Sequence, residues 1–237
     1  MLHLPLQRGA LDAAIVDLDG TMVDTLGDFV EVLRRMLADV GLPPVTATEV
    51  ERMVGKGTEH LIASVLHHVL AAQHPEAGAR QVAVDALFPR AWDSYQQHYP
   101  QVNGQFSRVY PGVLEGLQAL RGLGLPLACL TNKPTAFAVA LLQAKGLEGY
   151  FAHVFGGDAF ARKKPDPLPL LQTCAALGTA PARTLMVGDS SNDAQAARAA
   201  ACPVLLVTYG YNHGQPVQQV DADGWLDSLA AMGAAVL

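Results

Sequence analysis

Residues 13–21, Ala13-Ala14-Ile15-Val16-Asp17-Leu18-Asp19-Gly20-Thr21, decide how this chain is read. Four apolar residues suit a strand buried on both faces, and two carboxylates follow it at once. Alternate side chains of extended backbone point the same way, so Asp17 and Asp19 arrive together at the strand's carboxyl end. Gly20 lets the chain turn there. Like charges this close repel unless a proton or cation lies between them, and a hard divalent ion such as Mg2+ suits carboxylate and carbonyl oxygen. Taken alone, the stretch also fits an ordinary acidic strand-to-loop turn.

Four further apolar runs, residues 125–130, 153–155, 184–187 and 204–207, read as buried strands. Amphipathic stretches of helical length, 113–123, 135–144, 167–177 and 193–200, alternate with them. That alternation predicts an α/β fold, a doubly wound parallel sheet with a Rossmann-like core, whose ligands sit at the carboxyl ends of the strands. One interval breaks the pattern. Residues 25–104 offer only helical patterns (29–40, 58–72, 82–99), separated by breakers at 41–44, 74–78 and 100–104. They are expected to form a smaller all-helical domain inserted between core segments 1–24 and 105–237.

Polar clusters follow the later strands. They are Leu130-Thr131-Asn132-Lys133-Pro134, Arg162-Lys163-Lys164-Pro165-Asp166-Pro167 and Gly188-Asp189-Ser190-Ser191-Asn192-Asp193, and every one falls at the same sheet edge.

In this order the four clusters resemble those of the haloacid-dehalogenase-like hydrolases, within them the phosphatase branch with an Asp-x-Asp-Gly-Thr first motif. The resemblance covers nearly the whole chain, and the helical insertion resembles that family's cap domain. Details in residues 130–134, 163–165, 188–193 and 208–212 resemble the members that hydrolyse 2-phosphoglycolate.

The resemblance implies Mg2+-dependent hydrolysis of a small anionic phosphate ester in two steps. Asp17 is the expected nucleophile, forming an aspartyl-phosphate, and Asp19 the expected general acid and then base. Thr131 and the Asn132 backbone amide are expected to donate to the phosphoryl oxygens, with Lys164 as a fixed cation. The Asp17 side chain, the Asp19 carbonyl and Asp189 are the expected ligands of Mg2+. Asp193 is read either as orienting a metal-bound water or as an acid offsetting a helix dipole.

Lys164 is preferred to Lys163 because it directly precedes Pro165, which leaves Lys163 a solvated neighbour. Lys133 reads as a surface lysine before a proline, or as a substrate contact. In Gly55-Lys56-Gly57-Thr58, Lys56, with Arg52 as a second candidate, is expected to face a substrate carboxylate. The plainer alternative there is a glycine-flanked turn. Trp92, Tyr95 and Tyr99 are assigned to packing, Tyr209 and Tyr211 to packing or loop rigidity. No metal site is expected at His60, His67 and His68, which lack a carboxylate at ligand spacing.

Other readings keep part of this pattern. The same chemistry could serve pyrophosphate, a sugar phosphate or a nucleotide, and a beta-phosphoglucomutase-like isomerase also has both first-motif aspartates. A receiver-like phospho-acceptor module is disfavoured by Asp19 and the long insertion. A dehalogenase proper lacks the second aspartate.

Composition narrows the field further. The 237 residues are 50% hydrophobic and 16% charged, which supports true cores and excludes disorder. A net charge of −6 gives no summed positive field to hold nucleic acid or anionic lipid. Cys129, Cys174 and Cys202 are odd in number and far apart in sequence, and read as reduced packing residues. Arg8, Asp12, Asp17 and Asp19 interrupt any signal-peptide core, and no run reaches the roughly 18 apolar residues of a membrane span. A cytoplasmic monomer or homodimer without a membrane or nucleic-acid partner is expected.

Overall fold

A computed structural model describes residues 10–236; residues 1–9 and 237, which the sequence reading places in the core segments and which include Arg8, lie outside the described residues. β1 (Ala13–Val16) is buried along its whole length. Its side chains divide with period two. Ala14 and Val16 join the apolar cluster on one sheet face, and Ile15 joins the cluster on the other. Helices cover both faces, so an unbroken apolar run is the required pattern.

The sheet is parallel, in the order β5 (His153–Phe155), β4 (Leu127–Leu130), β1, β6 (Thr184–Gly188), β7 (Val204–Val207), β8 (Gly224–Leu226). α5 (Val113–Gly122), α6 (Thr135–Ala144) and α9 (Met232–Ala235) bury Leu117, Leu141 and Met232 against one face. α7 (Leu168–Leu177) and α8 (Ser191–Ala200) bury Leu170 and Ala197 against the other. Strand order runs outward in both directions from β1. The carboxyl ends of β4, β1 and β6 therefore border the crevice where such sheets bind ligands.

The insertion leaves and re-enters through a two-stranded antiparallel ribbon, β2 (Val23–Asp24) with β3 (Arg108–Val109). Between them lie α1 (Leu26–Asp39), α2 (Ala47–Glu51), α3 (Thr58–Leu70) and α4 (Ala77–Val102). They bury a core of their own, including Leu33, Met36, Ile62, Leu66, Tyr95 and Tyr99. The returning linker is held from both sides. Buried Asp28 accepts from the amides of Gly104 and Phe106 at 2.8 and 2.7 Å, while Lys145 Nζ donates to the carbonyls of Gly104 and Ser107 at 2.9 and 2.6 Å.

Several elements differ from expectation. β8 and the ribbon were not predicted, since each is three residues or fewer and only pairing to β7, or to each other, makes it a strand. α2 is likewise short, and a Thr46–Glu49 capping box starts it. α4 runs through Pro89 and Pro100 to Val102, although Pro100 was expected to break it. Burial of Tyr95, Tyr99 and Val102 along one face outweighs one missing hydrogen bond near the helix end. Folding also brings Cys174 and Cys202, far apart in sequence, to 4.0 Å. No helix among the described residues is long and apolar enough to cross a membrane.

Asp28→Ala strips two linker amides of their acceptor. We expect a loss of about 2 kcal/mol in chemical denaturation; an unchanged midpoint would show that solvent replaces the carboxylate at no cost.

Candidate active site

The sheet's carboxyl edge brings residues of the four polar clusters to one cavity, part of whose wall comes from the helical insertion. At the end of β1 the Asp17 amide donates to Val187 O at 2.9 Å, and Leu18 is fully buried, so Asp17 and Asp19 both line the cavity. Gly20 turns the chain with φ +86°, and a Cβ there would fall inside the Asp189 carboxylate. Glycine is thus required on both conformational and steric grounds.

Beyond β4, Thr131 is buried and its Oγ1 accepts from the Lys133 amide at 3.2 Å. Asn132 works as a clamp. Its Oδ1 accepts from the Lys164 amide at 3.0 Å, and its Nδ2 donates to the Lys164 carbonyl at 2.8 Å and to Gly55 O of the insertion at 3.0 Å. Lys164 extends across the site and spends its three donors on Asp17 Oδ1 (2.8 Å), Leu130 O (2.8 Å) and Asp193 Oδ1 (2.6 Å).

β6 supplies Asp189, whose Oδ1 accepts from Thr21 Oγ1 at 3.2 Å and whose Oδ2 accepts from the Tyr211 amide. Both readings of Asp193 have geometric support. Its Oδ2 closes a capping box with Ser190 at the start of α8, while its Oδ1 holds Lys164. Tyr211 stiffens the neighbouring loop, its hydroxyl donating to Asp24 Oδ1 at 2.6 Å and accepting from the amides of Thr25 and Leu26.

Electrostatically the site is overloaded with acid. One oxygen from each of Asp17, Asp189 and Asp193 lies within 4.8 Å of the others, and all three residues are buried. Burial pushes the Asp17 carboxyl up to about 7, against the pull of Lys164 and with a further push from Asp193 and Asp19. Burial, then Asp193 and Asp17, drive Asp189 well above the usual carboxylate range. Burial disfavours the Lys164 charge, yet Asp17 and Asp193 reverse that and hold its pKa above the ordinary value. Closely set, incompletely neutralised carboxylates are the donor set a hard divalent cation prefers.

Several side chains sit where the sequence did not put them. Lys133 is not on the surface. Its side chain is 2% exposed, and Nζ donates to Asp19 Oδ1 and Oδ2 at 3.1 and 3.3 Å and to the Tyr99 hydroxyl of α4. The Lys133 ammonium also lies over the rings of Phe29 and Tyr99, 4.9 and 5.0 Å from their centroids. Lys163 is only partly solvated and reaches the insertion, pairing with Glu59 at 2.6 Å.

Lys56 and Arg52 are exposed; neither lines the cavity, although Gly55, Gly57 and Thr58 do. His60 and His68 contact Ser64 and Glu49, at the exposed surface. Sequence reading gave no role to Asn192, whose Nδ2 joins Asn132 on Gly55 O at 3.2 Å, or to Phe29 in the cavity wall. It assigned Tyr95 and Tyr99 to packing alone, whereas both also line the cavity. Their place depends on how the insertion docks, and no local pattern records that.

These features coincide with a known class. The family model for haloacid dehalogenase-like hydrolases matches residues 11–201. The chain is 43% identical over 220 residues to the phosphoglycolate phosphatase of Thiobacillus denitrificans, covering 93% of each, and 41% identical over 228 residues to that of Nitrosospira multiformis, covering 96% of this chain and 95% of the relative. A crystal structure of a predicted phosphoglycolate phosphatase from Haemophilus somnus superposes with a TM-score of 0.87 at 31% identity, covering 96% of this chain and 99% of that one. The chain belongs to the haloacid dehalogenase-like hydrolase family.

The crowded acids yield a prediction. A carboxyl whose folded pKa is raised contributes fully below its unfolded value near 3.8, and that contribution is lost as pH rises through about 7 for Asp17. The metal-free protein should therefore melt lower at pH 8 than at pH 5.5. Asp189→Asn should raise the pH 8 melting temperature and remove the extra stabilisation that a divalent cation gives the wild type. A variant that is destabilised, or still gains from the cation, would count against a carboxylate centre.

Proposed function

We propose that the chain is a Mg2+-dependent phosphatase that hydrolyses 2-phosphoglycolate to glycolate and phosphate through an aspartyl-phosphate on Asp17. The observation carrying this reading is that Asp17 and Asp19 open into one cavity, the first held by Lys164 and the second contacted by Lys133. The names of the curated relatives support the substrate.

In the first step an Asp17 oxygen attacks phosphorus in line, the bond to the leaving oxygen breaks, and Asp19 gives that oxygen a proton. In the second, Asp19 takes a proton from water as it attacks the phosphoaspartate, releasing inorganic phosphate and restoring Asp17. Lys164 holds Asp17 in register and offsets repulsion between carboxylate and phosphate. The Thr131 hydroxyl and the Asn132 backbone amide would receive the phosphoryl oxygens. Asp17, Asp189 and the Asp19 carbonyl would hold Mg2+, which supplies positive charge against the charge on the phosphoryl group. Asp193 keeps Lys164 and the Asp189 loop in place.

Residues 25–104 act as a cap over the site in this reading, excluding water while the phosphoenzyme exists. Three free, buried cysteines suit a reducing cytoplasmic setting.

Asp17→Asn should lower phosphate release by at least about 10³-fold while the melting curve stays cooperative, because no nucleophile remains. Asp19→Asn should slow both steps and leave on the protein a radiolabelled phosphate that survives acid precipitation and is released by hydroxylamine. Residual turnover above a few per cent in Asp17→Asn would falsify the covalent route.

A further inference from the structure

We propose that Lys133 determines substrate choice by receiving, on its buried ammonium, an anionic group carried by the leaving portion of the ester, a carboxylate in the case favoured above. The proposal rests on the phosphatase reading and names the selecting residue within that site.

Of the residues lining the cavity, two are cations, Lys133 and Lys164. Lys164 is saturated, its three donors spent on three separate acceptors at 2.6 to 2.8 Å on the nucleophile's side. Lys133 is not. Two of its contacts are the two oxygens of one carboxylate at 3.1 and 3.3 Å, a forked arrangement a single donor can serve. The Tyr99 hydroxyl takes another, and two ring faces supply the rest of its surroundings. A desolvated ammonium in such a setting has capacity for one more oxygen and gains strongly from a charged one.

Position makes that oxygen part of the substrate. Asp19 must reach the leaving oxygen, and Lys133 Nζ lies one hydrogen bond beyond Asp19. In a two-carbon ester, the substituent on the leaving carbon is two bonds from that oxygen, which places it within reach of an ammonium that touches Asp19. Phe29, Leu61, Tyr95 and Tyr99, which the insertion adds to the cavity wall, bring no countercharge for a carboxylate, so that task falls to Lys133. Lys56, the sequence-based candidate for this role, is exposed outside the cavity.

The test compares kcat/KM for 2-phosphoglycolate and for ethyl phosphate, which replaces the carboxylate by a methyl group, in wild type, Lys133→Met and Lys133→Arg. Wild type should favour the acid, and Lys133→Met should collapse that preference by about 50-fold, chiefly through KM, as expected when a charge-assisted hydrogen bond is lost. Lys133→Arg should retain most of the preference. Equal losses on both esters would show that Lys133 acts only through Asp19 and would overturn the proposal, as would an unmoved ratio.

A second measurement needs no variant: glycolate, but not ethanol, should compete with ethyl phosphate in the wild type. Failure to compete sinks the proposal while leaving the phosphatase reading intact. Absence of phosphate release from either ester would sink both together.

Discussion

The Lys164 ammonium, clamped between Asp17 and Asp193, is the contact on which the active edge depends. β1 ends in two acids and the loop after β6 adds two more, all drawn toward one cavity where water is scarce. Without cations such a cluster would spread the strand ends apart or take up protons. Lys164 comes from a segment that belongs to neither strand, and it is aimed by its own backbone, held at both amide and carbonyl by Asn132. A side chain of β4's loop thus fixes the cation that holds Asp17. A buried pair of this kind contributes little net stability, because desolvation offsets most of the attraction. What it supplies is a single orientation for Asp17.

The same economy explains why the insertion is part of the site rather than a cover laid upon it. Gly55 O accepts side-chain amide donors from Asn132, in the loop after β4, and Asn192, in the first turn of α8, so the insertion's loop is tied to both. Tyr99 touches Lys133, and through it Asp19, from the opposite side. If the insertion tilts away about its ribbon, these contacts part and the apolar walls open to solvent. Admission of substrate and exclusion of water are then two states of one set of hydrogen bonds.

Legibility from the sequence followed locality. Five of the six sheet strands announced themselves as short apolar runs; β1, β4, β6 and β7 are buried along their length, which leaves little polar to confuse the pattern, while edge strand β5 is half-buried and starts with His153. The aspartates and Lys164 stood out because each adjoins a strand end or a proline. β8 and the ribbon did not, since two or three residues hold no period and the pairing partner supplies the structure. Lys133 was misread for a related reason. A lysine before a proline is solvated unless something covers it, and what covers it, Phe29 and Tyr99, lies on helices 104 and 34 positions away in the chain. Lys56 failed in the opposite direction, its flanking glycines marking a functional loop whose backbone, not side chain, faces the site.

Lys133 and Lys164 divide the cavity's positive charge between two tasks that must not interfere. In the proposed reaction Lys164 would serve the half of the ester that stays, and all of its donors are already committed. Lys133 would serve the half that leaves, its contacts with Asp19 being longer, at 3.1 and 3.3 Å. Exchanging these tasks would bind the nucleophile weakly and the leaving group tightly, and product release would suffer. The saturated cation thus stands on the sheet side and the unsaturated one against Phe29 and Tyr99 of the insertion, so that in the proposed reaction the acid that receives the phosphoryl group is held by the core and the leaving group faces the insertion.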